Sequence, residues 1–278
     1  MSKPLFAWIS ARIPVEPDWY TTLHDRVLPF FRSADVIFLC DTWFYELSYR
    51  GTVSLDLYIY ADSSAIHGVL LPALRERFSE GKFTNNIGHE LLKGRGLLEI
   101  ERWDAAGHIS NQLLGHFHES TQLYCSRRVH RKPGAQSCFD ELSAATRALR
   151  TGSCDLVDLF KRGYQEWISV HLSHRYAVAQ ADERLAQEEE LTAFLISRPQ
   201  LEPRALISPS ADTWLAATQA VCDDHEGDLL LAFNKHIGRY GLDDYEAGAI
   251  WASLYSWAKA RVGRQQSQDR LTASATAL

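Results

Sequence analysis

The chain has 278 residues, 46% hydrophobic and 23% charged, which excludes extended disorder and supplies enough apolar material for a sizeable core. Its 29 basic and 35 acidic residues leave a net charge of −6, which disfavours generic attraction to nucleic acid. No apolar run approaches the roughly 18 residues that would span a bilayer.

Arg12, Pro14 and Glu16 follow the N-terminus too closely for a secretion signal. The five cysteines, Cys40, Cys125, Cys138, Cys154 and Cys222, are scattered and form no CxxC pair. That pattern argues against a disulfide framework or a zinc ribbon and fits a reducing cytoplasm. The expectation is a cytoplasmic globular protein.

In chain order, Phe6–Ser10 is a short strand candidate, and Pro17 opens a helical stretch. Within that stretch Tyr20, Leu23, Val27, Leu28 and Phe31 recur at three and four. Val36–Cys40 and Trp43–Tyr49 are strand-like, with a turn at Arg50-Gly51-Thr52. Thr52 to Tyr60 alternates: Val53, Leu55, Leu57 and Ile59 face one way, and Ser54, Asp56, Tyr58 and Tyr60 the other. This predicts a half-buried strand with one polar, chemically capable face. A helix over Ser63–Ser79, a strand over Leu97–Trp103 and a helix over His108–Cys125 follow. Lys93-Gly94-Arg95-Gly96 reads as the turn into Leu97.

Residues 127–137 hold Pro133-Gly134 and most of the local positive charge, a basic loop that is solvated or meets an acidic peptide. Helices are expected over Phe139–Arg150, Asp155–Tyr176, Ala181–Ser197, Asp212–Asp223, Asp228–Tyr240 and Asp243–Arg261. Asp212-Thr213 and Asp243-Asp244 are N-terminal caps, and Gly241 ends a helix. After Gly263 the apolar periodicity stops. The expected class is α+β: an N-terminal mixed β-sheet with helices, then a mainly helical C-terminal half. The parts are an α/β region over 1–126, the basic loop, a helical region over 138–263 and a disordered tail over 264–278. Together they make one integrated domain.

Several common sites are missing: the chain has no GxxxxGK[ST], no GxGxxG after a strand, no GxSxG and no HExxH. His116 and His118 are two apart on a helix and point to different faces. His171 and His174, at i and i+3, are better placed, and Asp223-Asp224-His225-Glu226 lacks a second cluster. No metal site and no cofactor are expected.

Four segments in order carry a family resemblance. Trp43-Phe44-Tyr45 through Leu55-Asp56-Leu57-Tyr58 resembles a "WFFIRY…HLRLR" hairpin, and Leu98-Glu99-Ile100-Glu101-Arg102-Trp103 resembles "EPEIERYGG". The helix ending Phe117-His118-Glu119-Ser120 resembles "F..DS", and Asn234 to Arg239 falls where "HM..NR" stands in a late helix. The chain thus resembles the C-terminal domain of lantibiotic dehydratases and its stand-alone thiopeptide-biosynthesis relatives.

The resemblance implies one of two chemistries. One branch eliminates glutamate from a glutamylated Ser or Thr, using arginines for the developing negative charge and a His for proton transfer. Here the strand has Ser54-Leu55-Asp56-Leu57-Tyr58 where two arginines would fall, and Asn234 where the His would fall, although Arg239 is kept. Only Arg50 could replace the hairpin arginine. His236, two residues beyond Asn234, lies on a different helix face.

The other branch, the thiopeptide pyridine synthases, performs a formal [4+2] cycloaddition between two dehydroalanines of a leader-bearing peptide. Loss of water and expulsion of the leader as a carboxamide then give the pyridine macrocycle. That chemistry needs a cavity that brings two alkenes together and modest acid–base groups. The catalytic candidates are Ser54, Asp56 and Tyr58 on the strand, with Ser169, His171, His174 and Tyr176 on the central helix. The substrate-binding candidates are Arg50, Arg102, Asn234 and Arg239. The partners implied are a leader-bearing modified precursor peptide and other enzymes of the same pathway. Two alternatives stay open: a split glutamate-elimination subunit, with Arg50, Arg102 and Arg239 converging on one pocket, and a non-catalytic peptide-binding scaffold.

Overall fold

The alternating run that begins at Ser54 becomes the centre of a sheet. A computed structural model describes residues 6–48, 53–85, 111–127, 132–149, 155–175, 201–204, 209–224 and 226–276. Four strands, β1 (Phe6–Pro14), β2 (Cys40–Ser48), β3 (Ser54–Asp62) and β4 (Lys82–Asn85), pair in the order β2-β3-β1-β4. Every pairing among the described residues is antiparallel. The short β2–β3 connection allows only a hairpin, since a parallel crossover needs a dozen or more residues. The α+β class itself holds.

The half-buried strand is corrected. Leu55, Leu57 and Ile59 are closed to water, and Ser54, Asp56 and Tyr58 on the opposite face are buried as well. Alternation located the two faces correctly, but β3 lies inside the sheet, between β2 and β1, and its residues from Ser54 to Ile59 are buried on both. Val36–Cys40 also differs from expectation, because residues 33–39 form turns and β2 starts at Cys40. The amides of Val36 and Ile37 donate to the Ser33 carbonyl. Only Val36 of Val36–Leu39 is buried, so this apolar run had no sheet face to fill.

The helix expected after Pro17 is α1 (Trp19–Thr21), a π-helical turn (Thr22–Val27) and α2 (Leu28–Phe31). The helix after Ser63 repeats the plan as α3 (Ser63–Ala65), a π-helical turn (Ile66–Leu70) and α4 (Leu71–Arg77). In both, the last wide-turn bond comes from a leucine directly before a proline: Leu28 to Leu23 before Pro29, and Leu71 to Ile66 before Pro72. A proline ring collides with the carbonyl four residues earlier in an α-helix, and the wider turn moves that carbonyl away.

The chain divides into two units, one of residues 1–132 with 209–221 and one of residues 133–208 with 222–278. The first holds the sheet, α1 to α4, α5 (Asn111–Cys125) and most of α8 (Pro209–Asp224). The helical half of the sequence therefore lends a segment to the sheet-bearing unit. Asp212 lies inside α8, which starts at Pro209, and is not its cap.

The second unit contains α6 (Ala135–Ala148), α7 (Leu156–Arg175), α9 (Glu226–Arg239) and α10 (Asp244–Thr276). Gly241 takes φ 54°, as a helix-ending glycine does. The Glu246 amide donates to Asp243 Oδ1 at 2.7 Å and the Asp243 amide to Glu246 Oε2 at 3.0 Å, a capping box that starts α10. Helix α10 runs to Thr276, through much of the tail expected to be disordered. Its Gln, Arg, Leu and Ala residues favour helix, and no Gly or Pro follows Gly263. The predicted strand Leu97–Trp103, the turn at 93–96 and the helix Ala181–Ser197 lie outside the described residues.

Helices α7 and α10 meet through a reciprocal exchange of glycine and tryptophan. A Cβ on Gly163 of α7 would stand 2.5 Å from the Trp251 ring, and one on Gly248 of α10 would stand 2.4 Å from the Trp167 ring. Alanine gains about 1 kcal/mol of helix propensity over glycine but meets a rigid ring at either place. Gly163→Ala and Gly248→Ala are each expected to destabilise the protein by about 1–3 kcal/mol in urea unfolding. Gly238→Ala, at an exposed site in α9 with nothing in reach of the new methyl, is expected to stabilise by about 0.5–1 kcal/mol.

Candidate functional site

Pairing register brings four chemically capable side chains together on one sheet face. Arg12 of β1 stands opposite Asp56 of β3, and Asp56 stands opposite Glu46 of β2. The guanidinium donates twice to the carboxylate, Nε to Oδ1 and Nη2 to Oδ2, both at 2.7 Å. This bidentate geometry is what Arg provides and Lys does not. The carboxylate raises the Arg12 pKa through that hydrogen bond. Asp56 keeps 10% of its side chain exposed and Arg12 keeps 51%, so the pair is open on the cationic side.

Tyr58, one step along β3, has its hydroxyl 3.5 Å from Glu46 Oε2, a long contact. Its ring stacks on Phe44, the residue opposite it on β2, with centroids 4.9 Å apart. Tyr60 continues the row but packs against Phe6 and Trp8, so that end of the face is aromatic. Two carboxylates on neighbouring strands, one neutralised by Arg and one beside a phenol, form an acid–base set.

Helix α5 borders β2. Phe117 reaches Phe44 on one face, Tyr124 reaches Tyr45 on the other, and His118 Nδ1 meets the Trp43 backbone amide at 3.2 Å and carbonyl at 3.0 Å. A cleft of about 230 Å³ opens here, lined by residues of α2, the 33–39 turn, β2 and α5. Cys40 lines it, and burial pushes its thiol up to about 12. His116 turns the other way, to Thr218 at 3.2 Å and to the Trp214 ring of α8.

In the second unit Glu141 of α6 is fully buried. His236 Nε2 lies 2.7 Å from its Oε2, and the Tyr240 hydroxyl donates to the same oxygen. Arg239, also closed to water, is one helical turn beyond His236. Among the described residues no group of three or more His, Cys, Asp or Glu could hold a metal ion, and no helix is long and apolar enough to cross a membrane.

No family model matches the chain, and no curated protein matches it in sequence. Solved structures do. The pyridine synthase TbtD from thiomuracin biosynthesis is 16% identical, with a TM-score of 0.53 over 92% of this chain and 98% of that one. The tRNA-dependent lantibiotic dehydratase MibB from Microbispora sp. 107891 is also 16% identical, with a TM-score of 0.51 over 93% of this chain. The chain shares their fold. It spans 28% of the dehydratase's length, so the likeness there is to one part of a larger enzyme. The resemblance read from four degenerate segments is borne out at the level of fold.

The sequence candidates separate on this frame. Ser54, Asp56 and Tyr58 share one face of β3, as alternation predicted, but they are buried. Ser169 is exposed on α7, whose backbone also carries residues 171 and 174; the side chains of His171 and His174 lie outside the described residues. Tyr176, Arg50 and Arg102 lie outside them altogether. Asn234 is half-buried on α9, and Arg239 is buried.

Arg12 and Glu46 were missed because only cross-strand register brings them to Asp56. Glu141 carried a signal: it sits in the apolar stripe of Cys138, Leu142 and Ala145, where a lone carboxylate must find partners. His236, which lies on a different helix face from Asn234, where the resemblance would put a His, is one of those partners.

Arg12→Met leaves Asp56 without its counter-charge, and the expected loss is about 1–2 kcal/mol, reduced by the exposure of Arg12. Asp56→Asn added to it should restore part of that loss in a double-mutant cycle followed by urea unfolding. Native Cys40 should resist iodoacetamide at pH 8, because almost none of the thiol is ionised, and should react once urea exposes it; peptide mapping reads both.

Proposed function

We propose that this chain is a thiopeptide pyridine synthase acting on a leader-bearing, dehydroalanine-containing peptide. The observation that carries the reading is the polar row of β3. The chain shares the fold of TbtD along 98% of that protein, and the motif resemblance puts Asp56 and Tyr58 where glutamate elimination would call for arginines, while Arg12 beside them is spent on Asp56. Elimination of glutamate needs free cations for an enolate and a departing carboxylate. Cycloaddition needs proton donors and acceptors of moderate strength, which this row offers.

In this reading the main contribution is to hold two alkenes in contact, which removes a large entropic barrier. One dehydroalanine reacts as the iminol tautomer of its amide, so a base takes the amide proton and an acid protonates the carbonyl oxygen. Two C–C bonds then close the ring, one between the two methylene carbons and one between the iminol carbon and the α-carbon of the second dehydroalanine. Water leaves next, and the leader departs as a carboxamide as the ring aromatises. Tyr58 and Glu46 are assigned the proton transfers, with Asp56, ion-paired to Arg12, to orient them and Ser54 as a further hydroxyl. Ser169, His171, His174 and Tyr176 are the second proposed acid–base set, and Arg50, Arg102, Asn234 and Arg239 the proposed substrate contacts. The reaction as proposed uses no cofactor, and the precursor peptide is the partner.

The test is mass spectrometry of the purified protein with a synthetic peptide that carries a leader, thiazoles and two dehydroalanines. The expected product has lost water and the leader carboxamide and has a pyridine chromophore. Tyr58→Phe is expected to slow its formation about 10²-fold or more, within the range for loss of a general acid–base group. A peptide that binds and stays unchanged, with glutamate released instead from a glutamylated precursor, would replace this reading with the elimination subunit.

A further inference from the structure

The cleft beside β2 lies apart from the acid–base row, and its lining suits another task. Its floor is Phe31 stacked on Trp43, with ring centroids 3.9 Å apart and planes within 5°. Leu28 and Ile37 extend that apolar surface. The Cys40 thiol stays neutral, so it serves as soft apolar lining and not as a nucleophile. Arg32, Asp41 and Gln122 stand around the floor. Among the described residues their side chains make no hydrogen bond or ion pair. His118 is anchored through Nδ1, which leaves Nε2 available.

The balance of these groups selects the ligand. A rim of cations alone would favour an anion, but this one joins a donor, Arg32, an acceptor, Asp41, and an amide that is both, Gln122. That combination matches the carbonyl and N–H groups on either side of a residue in a peptide chain. Size points the same way. A volume of about 230 Å³ falls below the roughly 300–1,000 Å³ of small-molecule sites and is of the order of one large side chain. The apolar surface also continues past the rim: Ile37 is 48% exposed and Phe38, beside it in the turn, is 89% exposed. Adjacent exposed apolar residues next to a cleft mark a contact surface more than isolated ones do.

We infer that this cleft anchors one apolar side chain of an extended, uncharged peptide segment, with the flanking amides bonded to Arg32, Asp41 and Gln122. The inference deepens the peptide-processing reading by naming where the chain is gripped, and it rests on that reading only for which peptide is held.

Saturation-transfer NMR on the full chain tests it with three probes: N-acetyl-glycyl-phenylalanyl-glycinamide and the alanyl and glutamyl equivalents. The phenylalanyl peptide is expected to show transfer to its ring, and the other two little or none. Arg32→Ser and Phe38→Ser, both at exposed positions, should each weaken that binding roughly three- to tenfold with the unfolding curve unchanged. Absent transfer to the phenylalanyl peptide, equal transfer to all three, or full binding in both variants would overturn the anchor. Phenylalanyl binding without cycloaddition would remove the synthase reading and leave the anchor standing. Cycloaddition without phenylalanyl binding would do the reverse.

Discussion

A carboxylate buried on an inner strand of a sheet has to be neutralised by its neighbours in that sheet. Asp56 meets that demand through register: Arg12 on one side pairs with it, and Glu46 on the other adds a second carboxyl group at the half-buried edge of the row. A one-residue slip of β1 would send Arg12 to the opposite face, among Leu55, Leu57 and Ile59, and leave Asp56 bare. The ion pair therefore pins the same alignment that buries the apolar face. Tyr58 shares β3 with Asp56 and Glu46 stands opposite Asp56 on β2, so the chemistry assigned to them is built on the strand that Arg12 holds.

The second unit meets its own constraint in a different way. Its helices approach closely at α7 and α10 because each gives up a side chain at one point, Gly163 and Gly248, to admit the other's tryptophan. Glu141 then sits in full burial with His236 and Tyr240 converging on one of its oxygens. Such a cluster adds little net stability over an apolar core, but it penalises any packing of α6 and α9 that separates the three groups.

Much of this was legible in the residues. Alternation from Ser54 to Tyr60 located the two faces of β3, Gly241 and Asp243 marked a helix end and the next start, and four short segments in order pointed to the fold. What alternation could not show was whether the polar face was wet, since that depends on the strand's place in the sheet. Arg12 and Glu46 lie 44 and 10 positions from Asp56 in sequence, and pairing alone makes them neighbours. Val36–Leu39 misled because an apolar run carries no record of whether it turns or extends. Helix α10 reaches Thr276 past the point where apolar periodicity stops, because helix propensity persists there.

The two π-helical turns tie a residue count to a residue type. Each turn amounts to one residue more than an α-helix would hold, and each stands directly before a proline, at Pro29 and at Pro72. Deleting a residue from Thr22–Val27 would restore regular helix and drive the Pro29 ring into the backbone. Losing Pro29 alone would remove the reason for the wide turn and free the segment to tighten, turning the faces before and after it relative to each other by about 100°. Through such a change Leu28 and Phe31 would leave the floor of the β2 cleft. Length and composition in this segment can therefore drift only together, and a homologue lacking the proline is expected to be one residue shorter here.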